Sequence, residues 1–236
     1  MNRGCLYLIP VPLGPDNAKA SFTPYLSDTI NEISEYIVEN EKTARKFLKQ
    51  AGLKLPQNQL VIHDYGKHKR GNTSIKDYFQ GLLSGKDVGL MSEAGCPGIA
   101  DPGSEIIAHA HKLGIRVVPL VGPNSIILAL MASGFNGQRF TFHGYLPIDK
   151  EQRRRQLIYA EKNAIKRQET QIFIETPFRN NALLEDIQKH CNDHTRLCVA
   201  CDLTTSDEII ISEPVKDWKK RKIDFHKRPA IFLLYR

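Results

Sequence analysis

Ser92-Glu93-Ala94-Gly95-Cys96-Pro97-Gly98-Ile99-Ala100-Asp101-Pro102-Gly103 joins the apolar run Val88–Met91 to a helically spaced stretch, Asp101–Leu113, that ends at Gly114. Its glycines let backbone come close to a ligand, and its prolines fix the path of the loop. A strand, a loop of this kind and a helix make half of a parallel βαβ unit, and open α/β sheets bind their ligands at this end of the strands. Asp101 is placed either to cap the following helix, with Pro102 at its first position, or to contact a ligand directly.

The same alternation continues on both sides. Cys5–Val11 reads as a strand that runs into Pro12-Leu13-Gly14-Pro15, and Arg116–Val121 as one that runs into Gly122-Pro123-Asn124-Ser125. Tyr36–Val38 and Gln59–His63 read as further strands, and Leu26–Ile33, Glu41–Gln50, Ser74–Leu83 and Ser125–Ala132 as helices. Beyond Gly122 the texture changes. Arg139–Leu146 and Gln171–Glu175 are strands separated by a helix over Lys150–Ala164, and Asn180–Cys191 is another helix. Leu197–Leu203, Glu208–Ser212 and Ala230–Tyr235 then follow as strands with no helix between them, which favours antiparallel pairing. The expected architecture is two α/β domains, residues 1–121 around a parallel sheet and residues 122–236 around a mixed one.

A net charge of +7 over 236 residues points to a polyanionic partner. Much of the excess lies in Arg153-Arg154-Arg155 and in a run from Lys216 through Lys219-Lys220-Arg221-Lys222 to Lys227-Arg228. Trp218 and Phe225 interleave the second run and could stack on bases. The alternative is a solvated face, with Val215 and Trp218 spaced to share one side of a helix buried in the core. No apolar run has the length of a bilayer span, and Cys5–Val11 is too short for a signal peptide, so a cytoplasmic protein without membrane association is expected. Cys198 and Cys201, with Cys191 nearby, read as core thiols rather than a metal or redox site, because residues three apart on a strand face opposite sides. The eight histidines show no ligand spacing, and no metal is expected.

Neither a GxGxxG fingerprint nor a GxxxxGK[ST] phosphate loop is present. SEAGCPGIADPG instead resembles the S-D-A-G-T-P-x-I-x-D-P-G loop of tetrapyrrole-methylase-fold enzymes. The branch it is most similar to is the ribosomal RNA small-subunit methyltransferase I group, which 2′-O-methylates a cytidine of small-subunit rRNA. YLIPVPLG is similar to that branch's Y-x-V-P-T-P-I-G, GIRVVPLVGPNS to G-I-x-V-x-P-x-P-G-P-S/C, and FIETPFRN to F-Y/F-E-S/A-P-H-R, in the same order and spacing. The resemblance implies a homodimer that holds S-adenosylmethionine between its two domains and methylates RNA. Carried over by position, the donor-binding residues are Leu13, Gly14, Ala94, Gly95, Cys96, Ile99, Asn124, Ser125, Glu175 and Ala230. Glu175 could equally be a buried hydrogen-bond anchor. Glu93, at the branch's Asp position, is the candidate catalytic base for a ribose hydroxyl; bracing the loop is its alternative role.

Several positions depart from the branch. Its E-D-T-R is Glu39-Asn40-Glu41-Lys42 here, so a guanidinium fork suited to phosphate becomes an ammonium. Its A-R-E-L-T is Ala200-Cys201-Asp202-Leu203-Thr204, the His of P-H-R is Phe178, and the chain ends at Arg236 without the branch's C-terminal extension. Two other readings follow. Methylation of a tetrapyrrole carbon fits the fold, although Pro10-Val11-Pro12-Leu13-Gly14 replaces the G-x-G-x-G-D loop of those enzymes. A non-catalytic RNA- or ribosome-binding relative fits the lost arginines.

Overall fold

A computed structural model describes residues 3–14, 21–66 and 75–236. Pro15 and Ser74 lie outside these. The chain divides into two compact units, Met1–Asn124 and Ser125–Arg236.

The first unit is built on five short strands, β1 (Cys5–Leu8), β2 (Glu35–Val38), β3 (Val61–Asp64), β4 (Val88–Met91) and β5 (Arg116–Pro119). Their order is β3-β2-β4-β1-β5, and every pairing is parallel. Between them run helices α1 (Pro24–Glu32), α2 (Glu41–Gln50), α3 (Gln80–Leu83) and α4 (Ser104–Lys112). Caps set the starts of the first two: Thr23 accepts from the N–H of Leu26, and Asn40 from those of Lys42 and Thr43. The helices cover opposite faces. Leu26, Ile30, Phe47 and Leu48 pack on one face with Ile9, Tyr36, Val38 and Met91, while Phe79, Leu82, Ile106 and Ala110 pack on the other with Leu6, Ile37, Val88 and Leu90. Neighbouring β1 and β4 therefore send their connections to opposite faces, which makes their carboxyl ends the switch point of the sheet.

Two elements differ from expectation. The first strand stops at Leu8, because Pro10 and Pro12 have no N–H to donate to a ladder, and Val11 leaves the sheet. The expected helix before β4 is a 3-10 segment, Ile75–Phe79, that becomes α3 only at Gln80. Gly81 backs onto the buried Glu35 carboxylate there, closer than any β-carbon could approach.

The second unit has strands β6 (Phe140–Tyr145), β7 (Thr170–Ile174), β8 (Arg196–Cys201), β9 (Ile209–Pro214) and β10 (Ala230–Tyr235), in the order β6-β7-β10-β8-β9. Only the β6–β7 pair is parallel; the other three are antiparallel, so the sheet is mixed as expected. Helix α5 (Ser125–Ser133) packs on β8, β9 and β10, and Ser212 Oγ donates to the Ser133 carbonyl at 2.7 Å. The main core contains Leu157 of α6 (Lys150–Arg167), Leu183 and Ile187 of α7 (Asn180–His190), and Phe173, Leu197, Val199 and Phe232 of the sheet. A one-turn helix, α8 (Val215–Trp218), interrupts the expected run of strands between β9 and β10. It forms because Val215 and Trp218 bury completely on one side, with Trp218 Nε1 donating to the Leu197 carbonyl at 2.9 Å.

Candidate active site

The loops after β1, β4 and β5 are fastened to one another within the first unit. Val11 and Gly95 exchange two backbone hydrogen bonds of 2.8 Å, an isolated antiparallel bridge between the first two loops. Gly122 of the third loop lies against Pro10 so closely that a β-carbon at 122 would sit 2.1 Å from the proline Cγ. The Cys96 thiol donates to the Pro123 carbonyl at 3.3 Å, joining the second loop to the third. Burial pushes this thiol's pKa up, opposed by its hydrogen bond with the Asn124 side chain.

Gly95 stands where these loops meet. Its φ of +74° is a left-handed conformation that suits glycine, and a β-carbon there would lie 3.5 Å from Leu13 Cδ2 and 3.7 Å from the Pro123 carbonyl oxygen. The missing side chain thus leaves a cradle between Leu13 and Pro123 that a Cβ would fill. Leu13, Ala94, Gly95, Cys96 and Asn124 are brought together on these loops; Ile99, farther along the second loop, is half exposed. The residues fit a ligand that needs close backbone contact beside an apolar side chain at the switch point.

Asp101 is not the helix cap. Helix α4 starts at Ser104 with Gly103 before it, and Asp101 closes the loop instead. Its two carboxylate oxygens accept from the Gly98 N–H at 3.0 and 3.1 Å, and one also accepts from the Gly103 N–H at 2.6 Å. Glu93 is exposed, and its N–H donates to Glu39 Oε2 at 3.1 Å. Glu39, at the carboxyl end of β2, braces the loop from below, and sequence reasoning missed this role. Its signal was an acidic residue directly after an apolar strand.

In the second unit Ser125 opens α5, Ala230 opens β10, and Glu175 follows β7. The structure gives Glu175 the anchor geometry. Its side chain is 1% exposed, Oε1 accepts from the Thr176 N–H at 2.7 Å, and Oε2 lies 2.8 Å from Arg179 Nη2.

The basic runs are largely neutralised. Arg153 is buried, pairs with Asp186 at 2.6 Å and donates to the carbonyls of Pro147 and Ile148. Arg154 and Arg155 both pair with Glu151, which lowers its pKa to about 2. Lys219 pairs with Asp193, Lys220 with Asp217, Arg221 with Glu213 and Arg228 with Asp202. Trp218 and Phe225 are both fully buried, which removes them as base-stacking residues. Cys191, Cys198 and Cys201 are buried free thiols, with burial pushing the first two to about 12 and the third to about 11. Among the described residues no helix is long and apolar enough to cross a membrane, and no three His, Cys, Asp or Glu side chains are grouped to hold a metal ion.

Comparison with known proteins agrees with this geometry. Residues 11–218 match the Tetrapyrrole (Corrin/Porphyrin) Methylases. A ribosomal RNA small subunit methyltransferase I of Bacillus subtilis is 32% identical over 92% of this chain and 69% of its own length. The protein of that name from Synechocystis sp. is 32% identical over 87% of this chain and 69% of its length, and that of Escherichia coli O157:H7 is 28% identical over 99% and 78%. Among solved structures, the methyltransferase CobJ superposes with a TM-score of 0.60 at 17% identity, covering 98% of this chain and 99% of that one. A conserved hypothetical protein of Aeropyrum pernix K1 superposes with a TM-score of 0.64 at 13% identity, covering 100% and 86%. The overall fold is shared with these solved structures, and the chain belongs to the tetrapyrrole methylase family, in its ribosomal RNA small subunit methyltransferase I group, as an S-adenosylmethionine-dependent methyltransferase.

Proposed function

We propose that this methyltransferase modifies a ribose 2′-hydroxyl of small-subunit ribosomal RNA, as a cytoplasmic homodimer. The observation that carries the reading is the cradle at Gly95, set among three interlocked loops on a chain whose relatives are named for rRNA methylation. S-adenosylmethionine supplies a methyl group made electrophilic by its sulfonium. Leu13, Gly14, Ala94, Gly95, Cys96, Ile99 and Asn124 of the first unit would hold it. The family resemblance adds Ser125 and Ala230 to the donor-binding residues, and Glu175 acts by fixing the Thr176–Arg179 turn through its ion pair.

Aligning acceptor and methyl group accounts for much of the rate, since the leaving group needs no activation. A ribose hydroxyl is a weak nucleophile, and the exposed Glu93 carboxylate would be the base that takes its proton. Glu39 positions that loop through the Glu93 N–H. The homodimer is supported by two exposed apolar features, Ile127 and Met131 one turn apart on α5, and Phe140 and Tyr145 on the edge strand β6. Transfer of labelled methyl to isolated small ribosomal subunits lacking the modification tests the reading. Label found in a 2′-O-methyl nucleotide is the expected result; label on a base, or no transfer at all, overturns it.

A further inference from the structure

Phe178 is 68% exposed, although it lies between the buried Glu175 and the fully buried Asn180. Its ring meets that of His226 edge-on, at 5.8 Å and 73°. Buried groups hold this pair in place. The Lys227 N–H donates to the Pro177 carbonyl at 2.9 Å, and Asn180 Nδ2 donates to the carbonyls of Phe225 and Arg228 at 3.3 and 2.6 Å. Lys227 has a φ of +61°, and Asp202 and Thr204, on the loop fastened to the same segment by the Asp202–Arg228 ion pair, have φ of +48° and +69°. Left-handed residues other than glycine cost roughly 1 kcal/mol or more each and persist where surrounding contacts hold them, often at binding sites.

The charge around this corner differs from that of the basic runs. Whereas Lys219, Lys220 and Arg221 are paired with acids, Lys222 and Lys227 make no ion pair among the described residues, and both are exposed. The nearby Asp224 is occupied by the Asn181 side chain and the His226 N–H. An exposed ring next to an unpaired ammonium, on a rigid backbone, is how proteins take hold of single-stranded nucleic acid: stacking is tolerant of base identity, and the cation meets phosphate.

We propose that Phe178 and His226 form a stacking platform for an unpaired base of the acceptor RNA, with Lys227 on the adjoining phosphate. This rests on the RNA reading above. The test compares wild-type protein with Phe178→Leu and Phe178→Trp, measuring affinity for isolated small subunits and for a single-stranded RNA, donor affinity by calorimetry, melting temperature and sedimentation. Leucine keeps an apolar side chain but no ring face, so RNA affinity is expected to fall roughly 5- to 150-fold, the range for one stacked base. Tryptophan keeps wild-type affinity, and donor affinity and melting temperature stay unchanged in both. Lys227→Ala makes the salt dependence shallower by roughly 0.7 of a log–log unit, as for one single-strand phosphate contact. A leucine variant that binds RNA like the wild type overturns the platform alone, and one that instead changes the sedimenting species makes the corner a protein contact. Wild-type protein that binds no RNA overturns both readings.

Discussion

The loops around Gly95 and the basic run around Lys219 have the most unusual compositions in the chain, and they fold in opposite ways. In the first, each odd residue has a local task. Pro10 ends a strand, Gly122 lets another loop lie against that proline, and Gly95 adopts a left-handed turn that leaves space beside Leu13. In the second, Lys220 pairs within the run, with Asp217, but Lys219 and Arg221 meet acids from outside it, Asp193 before β8 and Glu213 on β9. Glycine and proline act on their own backbone, so their effect is written where they stand. A charge acts through whatever the fold puts next to it.

Gly95→Val is the severest test of the first region. It is expected to remove S-adenosylmethionine and S-adenosylhomocysteine binding in calorimetry while the circular dichroism spectrum keeps its folded form. A side chain at φ +74° also costs of order 1–2 kcal/mol. Gly95→Ala carries that strain with less volume and should bind more weakly than wild type but better than valine. Unchanged donor affinity in the valine variant breaks the placement of the cradle.

For the second region, Trp218→Ala should lower stability by about 3–5 kcal/mol in denaturant titration, since it empties a fully buried site and removes the hydrogen bond to the Leu197 carbonyl. RNA affinity of the folded fraction should not change; a selective loss of RNA binding would restore Trp218 as a stacking residue. Arg153→Met breaks a nearly buried ion pair and strips donors from two carbonyls, so a loss of about 3 kcal/mol is expected in the same titration. A neutral result would mean that Arg153 behaves as a surface cation after all. The mildest case is the double variant Lys219→Ala with Lys220→Ala. Its exposed pairs should leave the denaturation midpoint nearly unchanged, and RNA affinity measured across a salt series should keep nearly the wild-type slope. A slope shallower by two contacts would show that these lysines leave their acids for phosphate.

The alternation of strands and helices, the change from a parallel to a mixed sheet and the positions of the three Gly/Pro loops after parallel strands were all legible in the residues. Apolar spacing, glycine at helix ends and proline within loops act over a few residues and survive any tertiary arrangement. Three features were not legible, because each depends on how the folded backbone turns its side chains, which residue type and spacing do not fix. Asp101 sits where a cap belongs, yet its carboxylate closes the loop between Gly98 and Gly103. Glu39 and Glu93 are 54 residues apart and meet only because β2 and β4 are neighbours in the sheet. Glu175 and Phe178, three residues apart, part company: one carboxylate is sealed by Arg179, while the ring is left in solvent against His226. The sequence by itself determined the architecture and the family, because periodicity and loop composition are local properties. Only the tertiary structure decided which charges are spent in ion pairs and which aromatic rings remain exposed, because electrostatic pairing and burial depend on long-range neighbours.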